Sequence, residues 1–125
     1  MKRLFFLIAA IMPLTIMAQG SFWNSKDAYL GQKRPLDTPY VFADKMLVPD
    51  SGIAMDRSAF SADGKEFYYC NAQGWFDGRS SRLRYFKFGN GKWNGPFVLA
   101  KGFFTPSLSA DGKTMFLAGV RSDNQ

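Results

Sequence analysis

The side chains best suited to chemistry sit in two short stretches. Asp56 and Arg57 are adjacent, while Trp75, Phe76 and Asp77 lie between Gly74 and Gly78, with Arg79 next. A carboxylate beside a guanidinium can grip a polar ligand through charge-assisted hydrogen bonds. Neighbouring aromatics can form a platform for a sugar ring or a peptide side chain. Each stretch also has a plainer reading. Aromatics carry large buried area, so the loop around Trp75 and Phe76 would fold back and bury them. Asp77 and Arg79 would then form a surface pair of little energetic weight. Asp56 and Arg57 either line a binding mouth or cap the link into the following strand.

Missing residue types narrow the chemistry further. The 125-residue chain has no His and one Cys. That excludes Ser-His or Cys-His catalysis and His-ligated metal sites within it. Cys70 alone makes neither an internal disulfide nor a Cys-rich zinc site. With no nucleophile–base pair in the chain, the sequence reads as a non-enzyme with no cofactor and no metal. There are 16 Lys+Arg against 10 Asp+Glu, a formal charge of +6. Without Lys2 and Arg3 the balance is 14 against 10, or +4. Such a charge permits attraction to acidic glycans or lipid headgroups. Arg79, Arg82 and Arg84 make only a short cluster with no basic helix, which argues against nucleic acid. An aromatic share of 17% and a charged share of 21% argue against disorder, and the length allows one small domain.

The elements that must position these residues begin after a leader. Lys2 and Arg3 precede an apolar run over residues 4–12, and Ala18 supplies a small residue at a cleavage point. This pattern predicts a signal peptide over 1–18, removed before Gln19. The run is too short for a membrane span, which takes about 20 apolar residues. The mature protein is therefore expected outside the cytoplasm, and residues 19–38 form an N-terminal extension. Cys70 is either a buried small hydrophobe or an intermolecular link. It ends an apolar run, which favours the buried thiol.

Beyond the leader, runs of four to seven residues rich in Phe, Tyr, Val and Leu alternate with Gly, Asn, Asp and Pro. This is an antiparallel β signal. Strands are expected at 58–61, 65–70, 82–88 and 96–99, with a further outer strand at 39–43. Asp63-Gly64 is expected to close a two-residue hairpin, and Gly89-Asn90-Gly91 a second one. Asp63, Gly64, Asp111 and Gly112 are thus turn formers.

An internal repeat organises these strands. Ser61-Ala62-Asp63-Gly64-Lys65 recurs identically as Ser109-Ala110-Asp111-Gly112-Lys113, 48 residues later, with apolar flanks in both copies. Residues 39–43 resemble 96–100 at an offset of 57, the difference being an insertion between Ala43 and Ser58. A period of about 40–50 residues holding four strands is the size of a propeller blade.

Phe60-Ser61-Ala62-Asp63-Gly64-Lys65 and Leu108-Ser109-Ala110-Asp111-Gly112-Lys113 resemble the Ser-Pro-Asp-Gly-Lys turn of TolB-like, WD-repeat-like β-propellers, with Ala in place of Pro. Tyr29-Leu30-Gly31-Gln32-Lys33, followed by Pro39 and Phe42, is similar to exported bacterial members of that group. The resemblance implies an all-β fold of four-stranded antiparallel blades and a periplasmic or extracellular setting in a bacterial envelope. The partial propeller would cover 39–125, with repeats near 58–100 and 106–125: one outer strand, one blade and half of another. Remaining blades or other chains would then be needed to close it, making this chain a fragment or part of an assembly. Alternation of the strands puts the tight turns at one end. The 71–81 loop and the 44–57 link fall at the other, with Asp56, Arg57, Trp75, Phe76, Asp77 and Arg79. Long loops on a rigid scaffold are where binding concentrates. The expected function is a non-catalytic exported propeller module binding a protein, peptide or glycan through that loop face. The alternatives are the N-terminal propeller of a larger exported peptidase or glycosidase, and a structural envelope component.

Overall fold

The alternating aromatic runs do become strands. The computed structural model describes residues 22–48, 52–75 and 77–120; the expected leader over 1–18 and Phe76 lie outside them. The described chain is mostly β. β1 (Ile53–Phe60), β2 (Glu66–Ala72), β3 (Arg82–Gly89) and β4 (Lys92–Lys101) form an antiparallel sheet in sequence order, and β5 (Phe103–Leu108) and β6 (Met115–Gly119) form a second, two-stranded sheet. From the end of β4, β5 crosses the sheet to lie against β3, β2 and chiefly β1.

Both faces of β2 are apolar, and each face finds a cover. Phe67 and Tyr69 share a face with Phe60 and Phe86 across the ladder. Leu30 and Ala43 close over that face, joined by Phe42, Met46 and Leu47, so residues from the N-terminal segment complete the main core. On the opposite face, Cys70 and its partner Leu83 are fully buried. Cys70 Sγ approaches the Phe103 carbonyl of β5 at 3.7 Å. The buried-thiol reading of Cys70 therefore holds, and burial pushes that thiol up, with Asp56 adding to the effect.

The turns differ in detail from expectation. Asn90 and Gly91 both have positive φ, 53° and 74°, and join β3 to β4 as the two-residue type I′ turn that suits strand twist. Asp63-Gly64 does not. β1 ends at Phe60 and β2 starts at Glu66, leaving a five-residue loop at 61–65. Gly64 has φ 75°, and the Asp63 carboxylate accepts hydrogen bonds from Ser61 Oγ at 2.6 Å and Lys65 N at 3.0 Å. Ser61 Oγ accepts one from Glu66 N at 2.9 Å. Asp63 organises the loop through its side chain rather than by adopting positive φ.

The second copy repeats this network. Ser109 Oγ donates to Asp111 at 2.6 Å, Lys113 N donates to Asp111 at 3.1 Å, and Thr114 N donates to Ser109 Oγ at 3.0 Å. Leu108 pairs with Met115 as Phe60 pairs with Phe67. The irregularity upstream also recurs. β1 slips register between Met55 and Ala59, and β5 between Phe104 and Ser107. Each slip contains one non-glycine residue at positive φ, Asp56 at 61° and Thr105 at 49°.

Two expectations need correction. Residues 39–43 form no strand; Ala43 has φ 48° and starts a short helix, α1 (Asp44–Leu47). Pro39 offers no N–H to a ladder, and the segment instead drops Phe42 and Ala43 onto the core while Val41 points outward, 76% exposed. The link over 44–57 is also shorter than expected. β1 begins at Ile53, so Asp56 and Arg57 belong to a strand and not to a loop.

Candidate functional site

At the end of the sheet opposite the tight turns, the register slip in β1 turns Asp56 out of the ladder. Its φ of 61° is a conformation that Asp tolerates better than most residues. The cost is about 1 kcal/mol, and such strain concentrates at functional sites. Beside it, the 73–81 loop raises Trp75, which is 68% exposed. The loop does not fold back to bury this ring. Phe104 comes from the matching slip in β5, at the position one 48-residue period after Asp56.

These residues meet in one groove. Met55, Asp56, Trp75, Gly78, Phe104 and Val120 line a space of about 310 Å³ between the two sheets. Gly78 makes the close approach possible. A Cβ there would lie 2.5 Å from Val120 Cγ2 and 3.4 Å from Phe104. The end of β6 is tied in by Val120 N donating to the Gly102 carbonyl at 3.1 Å. Ser81 fastens β5 to the loop, its Oγ donating to the Phe103 carbonyl at 3.3 Å and its own carbonyl accepting from Gly102 N at 2.9 Å. The result is an apolar trough with the Asp56 carboxylate on its wall.

Of the expected site residues, the structure brings Asp56 and Trp75 together. Arg57, Asp77 and Arg79 are exposed nearby but do not line the groove. The Asp77 carboxylate accepts from Ser80 N at 3.2 Å. Its hydrogen bonds from Ser80 hold it below the usual carboxylate range, with Arg79 adding a smaller charge effect. Asp77 is thus a loop-former. The short arginine cluster also disperses. Arg84 is buried on the core face, where its Nε donates to Asn71 Oδ1 at 2.8 Å, and Arg82 donates to the Ser80 carbonyl at 3.0 Å. Phe104, Val120, Gly78 and Met55 were not among the expected site residues. The repeat held a signal for one of them, because carrying Asp56 forward by one period lands on Phe104.

The groove offers apolar contact and a carboxylate acceptor side by side. Trp75, Phe104 and Val120 supply the apolar contact, and Asp56 is an acceptor for an amine or guanidinium. No family model, curated protein or solved structure matches the chain.

Proposed function

We propose that this protein is a non-catalytic, exported repeat module of the β-propeller type that binds a protein or peptide segment through the groove between its two repeats. The observation that carries this reading is the convergence of Asp56, Trp75 and Phe104 at the loop end. A segment placing an apolar residue against Trp75 and a basic group at Asp56 uses both parts of the groove. Blade-like construction supports the propeller part of the reading. β1 to β4 run as a four-stranded antiparallel meander, and β5–β6 restart the same hairpin with the same turn network and the same slip.

The test is to pan a random heptapeptide display library against the full chain purified after export. Selected peptides are then titrated against Trp75→Ala and Asp56→Asn variants. Trp75 is largely exposed and Asn accepts positive φ, so both variants keep the fold. Binding should weaken by about tenfold or more in each, with basic-apolar pairs enriched among the selected sequences. Peptides that bind both variants as tightly as the parent would sink the groove as the site.

A further inference from the structure

A second cavity lies at the opposite, tight-turn end, built by the N-terminal segment. It measures about 590 Å³, and its lining includes Trp23, Tyr29, Gln32, Lys26, Lys33 and Arg34. No Asp or Glu lines it among the described residues. We propose that this cleft binds an acidic saccharide, with pyranose rings against Trp23 and Tyr29 and uronate carboxylates at Lys33 and Arg34.

The aromatic wall is held in place before any ligand arrives. Trp23 Nε1 donates to the Ala62 carbonyl at 3.0 Å, and its ring rests on Gly64, where a Cβ would approach to 2.9 Å. Tyr29 packs against Trp23 and Phe60, with ring centroids 5.4 and 6.1 Å apart. Tyr29 and Leu30 both have positive φ, 55° and 59°, a costly pair sustained because Leu30 is buried in the core. Fixed rings lower the ordering cost of binding. Lys26 is already bonded to Asp27 at 2.8 Å, so recognition of the anion rests on Lys33 and Arg34, both exposed on the rim. Sugar rings present C–H faces to aromatics and hydroxyls to amides such as Gln32. A bare phosphate or sulfate would use the two cations and leave the rings idle. The cleft lies within the size range of small-molecule sites, roughly 300–1,000 Å³.

Tetragalacturonic acid is the probe, titrated calorimetrically into the full chain purified after export. It should bind, and raising salt from about 50 to 200 mM should weaken it. Maltotetraose, the neutral comparator, should bind about tenfold more weakly or worse. A Lys33→Ala, Arg34→Ala double variant changes two exposed side chains; its melting temperature should stay at the parent value while affinity for the tetramer falls by about tenfold. Trp75→Ala should leave this affinity unchanged, separating the cleft from the peptide groove. Four outcomes overturn the proposal: no binding at about 1 mM tetramer, equal affinity for maltotetraose, full retention of binding by the double variant, or displacement of the tetramer by an equal concentration of inorganic phosphate. Binding to vesicles of anionic phospholipid without binding to the tetramer would assign the cleft to a membrane surface instead.

Discussion

Ser61-Ala62-Asp63-Gly64-Lys65 and its copy at 109–113 are built on one carboxylate each. Asp63 is held below its ordinary value first by the Ser61 hydroxyl and then by the Lys65 amide, and Asp111 likewise by Ser109 and Lys113. Glu66 is lowered by Lys87 and then by Tyr68, and its carboxylate sits 2.7 Å from Lys87 Nζ. For each group the folded state releases its proton more readily than the unfolded chain does. Between the two values the unfolded chain binds more protons, so stability rises with pH there. The contribution is present above the ordinary values of 3.8 and 4.5 and is lost as pH falls through the lower folded ones. The melting midpoint followed by circular dichroism should therefore be flat between about pH 7 and 5.5 and fall below about pH 4.5. Glu66→Gln should shrink that fall; an unchanged slope would remove Glu66 from the account. The two turn glycines offer a second comparison. Gly64 and Gly112 both need positive φ, 75° and 68°, but only Gly64 lies under the Trp23 ring. Gly112→Ala should cost about 1 kcal/mol in chemical denaturation, and Gly64→Ala measurably more because Trp23 must also move. Equal costs would mean that the Trp23 contact contributes little. The turn-forming role of Asp63 and Asp111 was legible in the sequence, since Asp before Gly bonds its own backbone locally; the longer loop was not, because it rests on Ser61 Oγ accepting from Glu66 N. The bridging of Gly64 by Trp23 was not, because 41 residues separate them.

At the scale of elements, hairpin order and the core strands β2 and β3 followed from alternation and turn residues. Strand lengths did not. β1 starts at Ile53, upstream of the expected 58, because its first residues pair with Ala72 and Asn71 of β2. No alternation marks this, since the slip at Asp56 breaks the period of two. The N-terminal extension over 19–38 was assigned no element from the sequence, yet it covers the core. Trp93 Nε1 donates to the Asp27 carbonyl at 2.7 Å, and Phe22 packs on Phe88 with ring centroids 4.8 Å apart. Trp93→Phe keeps the ring and removes the donor. It should lower stability by about 1 kcal/mol and speed amide exchange across residues 22–31 more than across β2. Uniform exchange changes would show that this bond does not tether the segment.

At the scale of the molecule, apolar surface stays in view at both sides of the repeat. Phe97, Val98 and Leu99 are exposed on β4, and Phe116, Leu117 and Val120 on or beside β6, Phe116 by 61%. Exposed patches of this kind mark contacts or aggregation. The purified chain should self-associate with rising concentration in light scattering. Phe116→Ser combined with Leu99→Ser should shift it toward monomer. A parent protein that stays monomeric and unfolds cooperatively at high concentration would show that these patches need no partner. The same openness explains why the groove was only half legible. Asp56 and Trp75 could be placed at one end by counting strands. Phe104 and Val120 reach them only because the second sheet packs against the first.

Features that depend on near neighbours could be read directly from the residues: antiparallel strands from a two-residue period, turns from Asp, Asn and Gly, a repeat from identity at a fixed spacing, and a buried Cys70 from its apolar run. Tertiary structure alone decided where the segment at 39–43 goes, how the N-terminal extension covers Phe67 and Tyr69, and which residues join Asp56. Those outcomes depend on surfaces that exist only once two sheets and a covering segment are in contact. Close approach between distant segments is a property of the assembled chain, and no local pattern encodes it.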